Sequence, residues 1–185
     1  MSFDKALHST RVVTPQGVKD ATLFIKNGKI GHIAEGPVSP EIAGHPGFEA
    51  LGDAVIMPGL LDAHVHINEP GRTEWEGFDT ATKAAAAGGI TTLIEMPLNA
   101  APVTTTVWAF EQKLAATEGK LHVHCGFYGG LIPENLGDLP ALMRSGVFGI
   151  KCFLTHSGIA DFPNVAEADL RRAMPLIERW QLSSW

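Results

Sequence analysis

His64 and His66 are separated by a single residue, in the run Asp62-Ala63-His64-Val65-His66. Side chains two apart on a strand share a face, so these imidazoles project together and Asp62 lies on the same side one step earlier. Two imidazoles on one face of a strand end can chelate one divalent ion from a single rigid element. Asn68-Glu69-Pro70-Gly71 then breaks the strand, which puts the pair at its carboxyl end, where barrel enzymes keep their sites. The competing reading is a pair of histidines that only satisfy hydrogen bonds. His122 and His124 have the same spacing, but the apolar Cys125-Gly126-Phe127 follows them without an early break. They belong near a strand start and read as structural.

Lys151 is the second unusual residue. It closes the apolar run Val147-Phe148-Gly149-Ile150 and precedes Cys152-Phe153-Leu154, so its stem is expected to be buried. An isolated buried ammonium is costly and tends to lose its proton. The neutral amine can capture carbon dioxide as a carbamate, whose two oxygens could bridge two metal ions. The alternative is a lysine that snorkels to a rim.

The elements that must position these residues follow from periodicity and punctuation. The N-terminal part reads as short strands, including 22–26 and 29–33 around Asn27-Gly28, the pair that best supports a type I′ turn. Residues 37–46 are rich in Gly and Pro and read as a loop. A further strand is expected at 54–57. From Leu60 the rhythm becomes strand–helix four times over: strands 60–67, 90–96, 121–127 and 147–153, helices 74–87, 104–117, 136–143 and 165–180. That alternation predicts an α/β fold with a parallel sheet. No Gly-rich phosphate turn follows a strand, which disfavours an open nucleotide-binding sheet. The alternative is part of a (β/α)₈ barrel, which needs about 250 residues.

The 20 acidic residues outnumber the 14 basic ones for a net charge of -6, and no basic block offers a footprint for nucleic acid. No apolar run approaches the ~20 residues of a membrane span. Cys125 and Cys152 match no metal or redox spacing and read as reduced thiols. With no secretory pattern at the N-terminus, a cytoplasmic protein is expected.

The segment Met57-Pro58-Gly59-Leu60-Leu61-Asp62-Ala63-His64-Val65-His66 resembles the entry motif of the amidohydrolase superfamily, in the branch of hydantoinases, dihydroorotases and allantoinases. The continuation Ile67-Asn68-Glu69-Pro70-Gly71-Arg72-Thr73-Glu74-Trp75-Glu76-Gly77-Phe78 is similar to allantoinases in particular. So are Ala86-Ala87-Gly88-Gly89-Ile90-Thr91-Thr92, Met96-Pro97-Leu98-Asn99 and Ile150-Lys151-Cys152-Phe153-Leu154. The resemblance implies a β-sandwich-like module over 1–57 and, over 58–185, the first half of a TIM-like (β/α)₈ barrel, about four β/α units. It implies two divalent ions, usually zinc, with His64 and His66 as ligands and Lys151, carboxylated, bridging the ions together with a hydroxide. The reaction implied is opening of the cyclic amide of allantoin to allantoate; hydantoinase-type chemistry and a non-catalytic assembly role are the rivals. Asn68, Arg72 and Ser157 are candidate substrate contacts, Asp62 a candidate support for a ligand histidine, and the full-length family is commonly tetrameric.

The same resemblance requires two more histidine ligands and an aspartate that serves as general base. None is found after Lys151, where His156 is the sole histidine and lies in a loop. No catalytic base is therefore assigned, and the expectation is a truncated, inactive or incomplete chain, as a premature stop or frameshift would give.

Overall fold

The computed structural model describes residues 2–183, with side chains as far as Trp180. The chain divides into two compact units after Pro58.

The first unit is one four-stranded sheet in the order β3-β2-β1-β4, built from β1 (Lys5–Thr14), β2 (Gly17–Lys26), β3 (Lys29–Glu35) and β4 (Phe48–Ala50). A sandwich would need a second sheet, and the described residues of this unit form only this one. Asn27 and Gly28 both take positive φ, 51° and 72°, as a two-residue type I′ turn between β2 and β3 requires. Residues 37–46 are not all loop: α1 (Pro40–Ala43) starts there, with the Ser39 hydroxyl accepting from the Ile42 amide. Ser at the cap followed by Pro at the first helical position is a start signal that the Gly/Pro content obscured. The strand expected at 54–57 reduces to a single bridge between Val12 and Ile56, and Ile56 packs on the core of Val12, Ala21 and Leu23.

The second unit is a parallel sheet in the order β5-β6-β7-β8, made of β5 (Leu60–Val65), β6 (Ile90–Glu95), β7 (His124–Gly130) and β8 (Gly149–Lys151). The helices α2 (Phe78–Ala87), α3 (Val107–Ala116), α4 (Leu139–Arg144) and α5 (Glu167–Ser183) alternate with the strands. Sequential neighbours pairing in parallel through helical crossovers is the α/β pattern expected. Ile67, Phe78, Leu93, Phe110, Phe127, Leu142 and Val147 form the main core, with Phe78 and Phe110 each edge-on to Phe127. No helix among the described residues is long and apolar enough to cross a membrane.

One strand is displaced from its expected position. The ladder of β7 begins at His124, opposite Thr92, and runs on to Gly130, not over 121–127. His122 lies before it, its amide bonded to the Thr82 hydroxyl at 3.2 Å. Gly129 and Gly130 extend the strand because large side chains lie against their backbone: a Cβ at Gly130 would stand 2.4 Å from Phe162 Cε2, and one at Gly129 2.7 Å from Leu142 Cδ2. Glycine in a strand marks such close approach.

Among the described residues β5 and β8 each pair on one side only, and Leu60, Leu61 and Phe148 are exposed to 49%, 61% and 65%. Open parallel edges beside exposed apolar side chains are templates for association. The isolated chain is expected to elute from gel filtration as dimers or larger species; a sharp monomer peak would contradict this.

Candidate metal centre

β5 carries His64, and His66 follows its last residue, where the Met96 amide donates to the Val65 carbonyl at 2.8 Å. β8 ends on Lys151. The order of the sheet brings these carboxyl ends together across 85 residues of sequence. His64 Nε2 and His66 Nε2 stand 3.2 Å apart, and Lys151 Nζ lies 3.0 Å from the first and 3.3 Å from the second. Three nitrogens thus converge on one point.

The contacts of His66 settle its tautomer. Its Nδ1 lies 2.5 Å from the carbonyl oxygen of Leu98, which can only accept, so Nδ1 carries the proton and Nε2 presents a lone pair toward His64 and Lys151. An imidazole held by a backbone carbonyl on its far nitrogen is the arrangement that orients metal-bound histidines. Two nitrogens on a tetrahedral zinc, each about 2.0–2.1 Å from it, stand roughly 3.3 Å apart, close to the spacing found. Burial holds the His66 imidazole below its ordinary value, opposed by the Leu98 carbonyl and reinforced by the charges of Lys151, His64 and Lys113. Burial also lowers the Lys151 ammonium, with Glu95 working against it. Both shifts favour the neutral forms that ligate a metal or capture carbon dioxide. Among the described residues no group of three or more His, Cys, Asp or Glu side chains could hold a metal ion; the third donor here is an amine.

The remaining residues singled out from the sequence sort by their bonds. Asp62 Oδ1 accepts from the backbone amide of His64 at 3.0 Å, a local strand-end bond rather than a hold on an imidazole ring. Asn68 Oδ1 accepts from Asn99 Nδ2 at 3.3 Å, and Arg72 donates to the Asn99 carbonyl at 3.0 Å while stacked 5.2 Å over Trp75. Asn68 and Arg72 therefore sit on the first loop above the histidines, tied to the loop after β6. The Ser157 hydroxyl donates to the carbonyls of Phe162 and Ile159 at 2.6 and 3.1 Å, within its own loop. His122 pairs with Asp79 at 2.9 Å. It and His124 line a hollow of about 710 Å³ with Ile90 and Thr91, at the amino-terminal ends of β6 and β7 and away from the nitrogen cluster.

Glu69 was not singled out, yet it is buried and anchors the first loop. Its Oε2 accepts from the Phe78 amide at 2.9 Å and its Oε1 from Lys120. Gly77 at the start of α2 has no side chain to cap the helix, and Glu69 performs that role with its charge at the positive end of the helix dipole. Glu69→Ala is expected to cost about 1–3 kcal/mol in a urea melt, because a buried amide loses its partner. A loss below half a kilocalorie would contradict the assignment.

A model described as the amidohydrolase family matches residues 55–166, more than half of the chain. The chain belongs to the amidohydrolase family. This amidohydrolase chain is 49% identical to an allantoinase of Streptomyces avermitilis, over 91% of its own length and 37% of the relative's. It is 42% identical to an allantoinase of Saccharomyces cerevisiae, over 93% of its length and 39% of the relative's. In structure it is similar to the L-hydantoinase (dihydropyrimidinase) of Arthrobacter aurescens, with a TM-score of 0.81 and 29% identity, covering 97% of this chain and 39% of that one. The chain thus spans less than two fifths of the length of these relatives.

Proposed function

We propose that this chain supplies the first half of a metal-dependent cyclic-amide hydrolase that opens allantoin to allantoate. The observation that supports the reading best is the convergence of His64 Nε2, His66 Nε2 and Lys151 Nζ within 3.0–3.3 Å of one another. By the likeness to hydantoinases, the four β/α units of the second unit are half of an eight-unit barrel, with the cluster at its catalytic rim.

In this reading His64 and His66 would hold a divalent ion, and Lys151, carboxylated by carbon dioxide, would supply further oxygen ligands to the centre. Divalent ions bound there, zinc by the resemblance, would acidify a water toward neutral pH and polarise the scissile carbonyl. The residues of this chain supply the rest of what can be assigned. Leu98 fixes the ring plane and tautomer of His66. Lys151, with its proton loosened by burial, offers the free electron pair that attacks carbon dioxide. Asn68 and Arg72 border the cluster and are the candidates to contact the ureide; Ser157 would have to exchange its bonds to Ile159 and Phe162 before it could join them. The remaining ligands and the general base are assigned to no residue of these 185, so turnover is not expected of the isolated chain. The same reading takes the compartment as cytoplasmic, in keeping with the free thiols of Cys125 and Cys152, and the complete protein as a homo-oligomer, tetrameric by resemblance.

A second reading, hydantoinase or dihydropyrimidinase activity, draws on the structural likeness to L-hydantoinase. A chimera separates the two: residues 59–180 replace the matching segment of the Streptomyces avermitilis allantoinase, and ring opening is followed on allantoin, hydantoin and dihydrouracil. Turnover of allantoin, lost on His64→Ala, is the expected result. Turnover of hydantoin or dihydrouracil without allantoin would overturn the substrate assignment.

A further inference from the structure

Glu95, the last residue of β6, and Lys113 on α3 form an ion pair in which both side chains are fully enclosed. Such a pair is weak evidence for stability. The cost of removing both charges from water offsets most of the attraction, and apolar residues of similar volume often serve a core as well. Glu95 Oε1 is moreover buried without a hydrogen-bond partner, which is unfavourable for a polar atom. A pair present only for stability would be a poor solution.

Its contacts lead to the metal centre. Lys113 Nζ donates to Glu95 Oε2 at 2.5 Å and to the Met96 carbonyl at 3.0 Å. The Met96 amide donates to the Val65 carbonyl at 2.8 Å, and the Ile67 amide faces the Glu95 carboxylate and favours its charge. Val65 and Ile67 are the two neighbours of His66. Two residues beyond Met96, the Leu98 carbonyl holds the imidazole of His66. Glu95 also acts electrostatically on Lys151, as Lys113 does on His66.

We infer that Glu95 and Lys113 are positioning residues: the pair clamps the carboxyl ends of β5 and β6 together and so sets where the His66 imidazole stands relative to His64 and Lys151. The inference rests on the reading of that cluster as a metal site. The burial of two charges is then explained by the precision it gives to the peptides on either side of His66, since hydrogen bonds to charged groups are shorter and stronger than neutral ones.

The double variant Glu95→Leu/Lys113→Met removes the pair at nearly constant volume. It is expected to melt cooperatively within a few degrees of the unsubstituted chain. Zinc affinity, measured by competition with a chromophoric chelator, is expected to fall about 10- to 100-fold, the usual loss for an outer partner of a ligand. The visible spectrum of the cobalt-loaded protein changes with it. A folded double variant with unchanged zinc affinity and cobalt spectrum overturns the inference. If the double variant does not melt cooperatively, Glu95→Gln, which keeps the shape and one acceptor for Lys113, takes the same measurements. A loss of about tenfold is expected there, and an unchanged affinity is again the overturning result. Failure of the unsubstituted chain to bind zinc would instead sink the metal-site reading, and the inference with it.

Discussion

His66→Ala is expected to lower the zinc affinity of the chain by more than about 100-fold. Loss of a mere outer partner costs 10- to 100-fold, and His66 is assigned as a ligand itself. Its Nδ1 is held by Leu98, so its Nε2 lone pair is fixed toward His64 Nε2, 3.2 Å away. Removing it leaves one imidazole and one amine, too few donors for a tetrahedral ion. His122→Ala is the internal control. That residue has the same spacing to a neighbouring histidine but bonds to Asp79, and its loss should leave zinc binding within about twofold. The pH dependence has a definite sign. Protons compete with zinc for an imidazole, and burial holds His66 below its ordinary value of 6.5. Proton competition at this ligand is therefore displaced to lower pH than for an ordinary imidazole. Isothermal titration between pH 5 and 8 measures this. A zinc affinity unchanged by His66→Ala would remove the residue from the site.

Lys113→Met is expected to be the most destabilising single change, about 3–5 kcal/mol at alkaline pH, where it strands a buried carboxylate. The loss must depend on pH. Burial pushes the Glu95 carboxyl up to about 7 from 4.5, while Lys113 pulls it down. Without Lys113 the carboxyl rises further. A group raised in the folded state contributes stability that is present below its unfolded value and is lost as pH rises through its folded one. The deficit of the variant relative to the unsubstituted chain should therefore be small near pH 4.5, where the folded-state carboxyl is protonated in both, and should open only as pH rises above about 7. Urea melts at the two ends of that window read it directly. An equal deficit at both would mean that Glu95 is not left charged by the substitution. The contrast with the double variant is sharp: removing one charge is costly, and removing both is not.

How much of this was legible beforehand differs from residue to residue. The alternation of strands and helices after Leu60 gave the parallel sheet, because hydrophobic periodicity is a local property. His64 and His66 were legible as a pair because strand geometry puts neighbours two apart on one side. Lys151 was a candidate for its apolar setting and for the resemblance of Ile150-to-Leu154 to the allantoinase pattern; its distance to the histidines depends on the order of four strands, which no local pattern encodes. The start of β7 was misplaced because Leu121-His122-Val123 alternates like a strand, while the hydrogen bond that takes His122 out of the ladder comes from Thr82 on α2. Gly129 and Gly130 fell beyond the expected strand 121–127, and only the packing of Leu142 and Phe162 explains why small residues are needed there. Glu95 and Lys113 left a trace that went unread. An acid closes an apolar strand, and a lysine lies on a helix face between apolar residues. Two opposite charges in segments that should be buried are a signal for a pair, but not for which residue pairs with which.

The most direct test is the zinc content of the chain dialysed against zinc and ¹³C-bicarbonate, side by side with Lys151→Met. The prediction is at least one zinc per unsubstituted chain together with a ¹³C carbamate resonance, and the loss of both in the variant. Equal zinc in the two chains, or no carbamate resonance in the unsubstituted one, would contradict the assignment of Lys151 to a metal centre with His64 and His66.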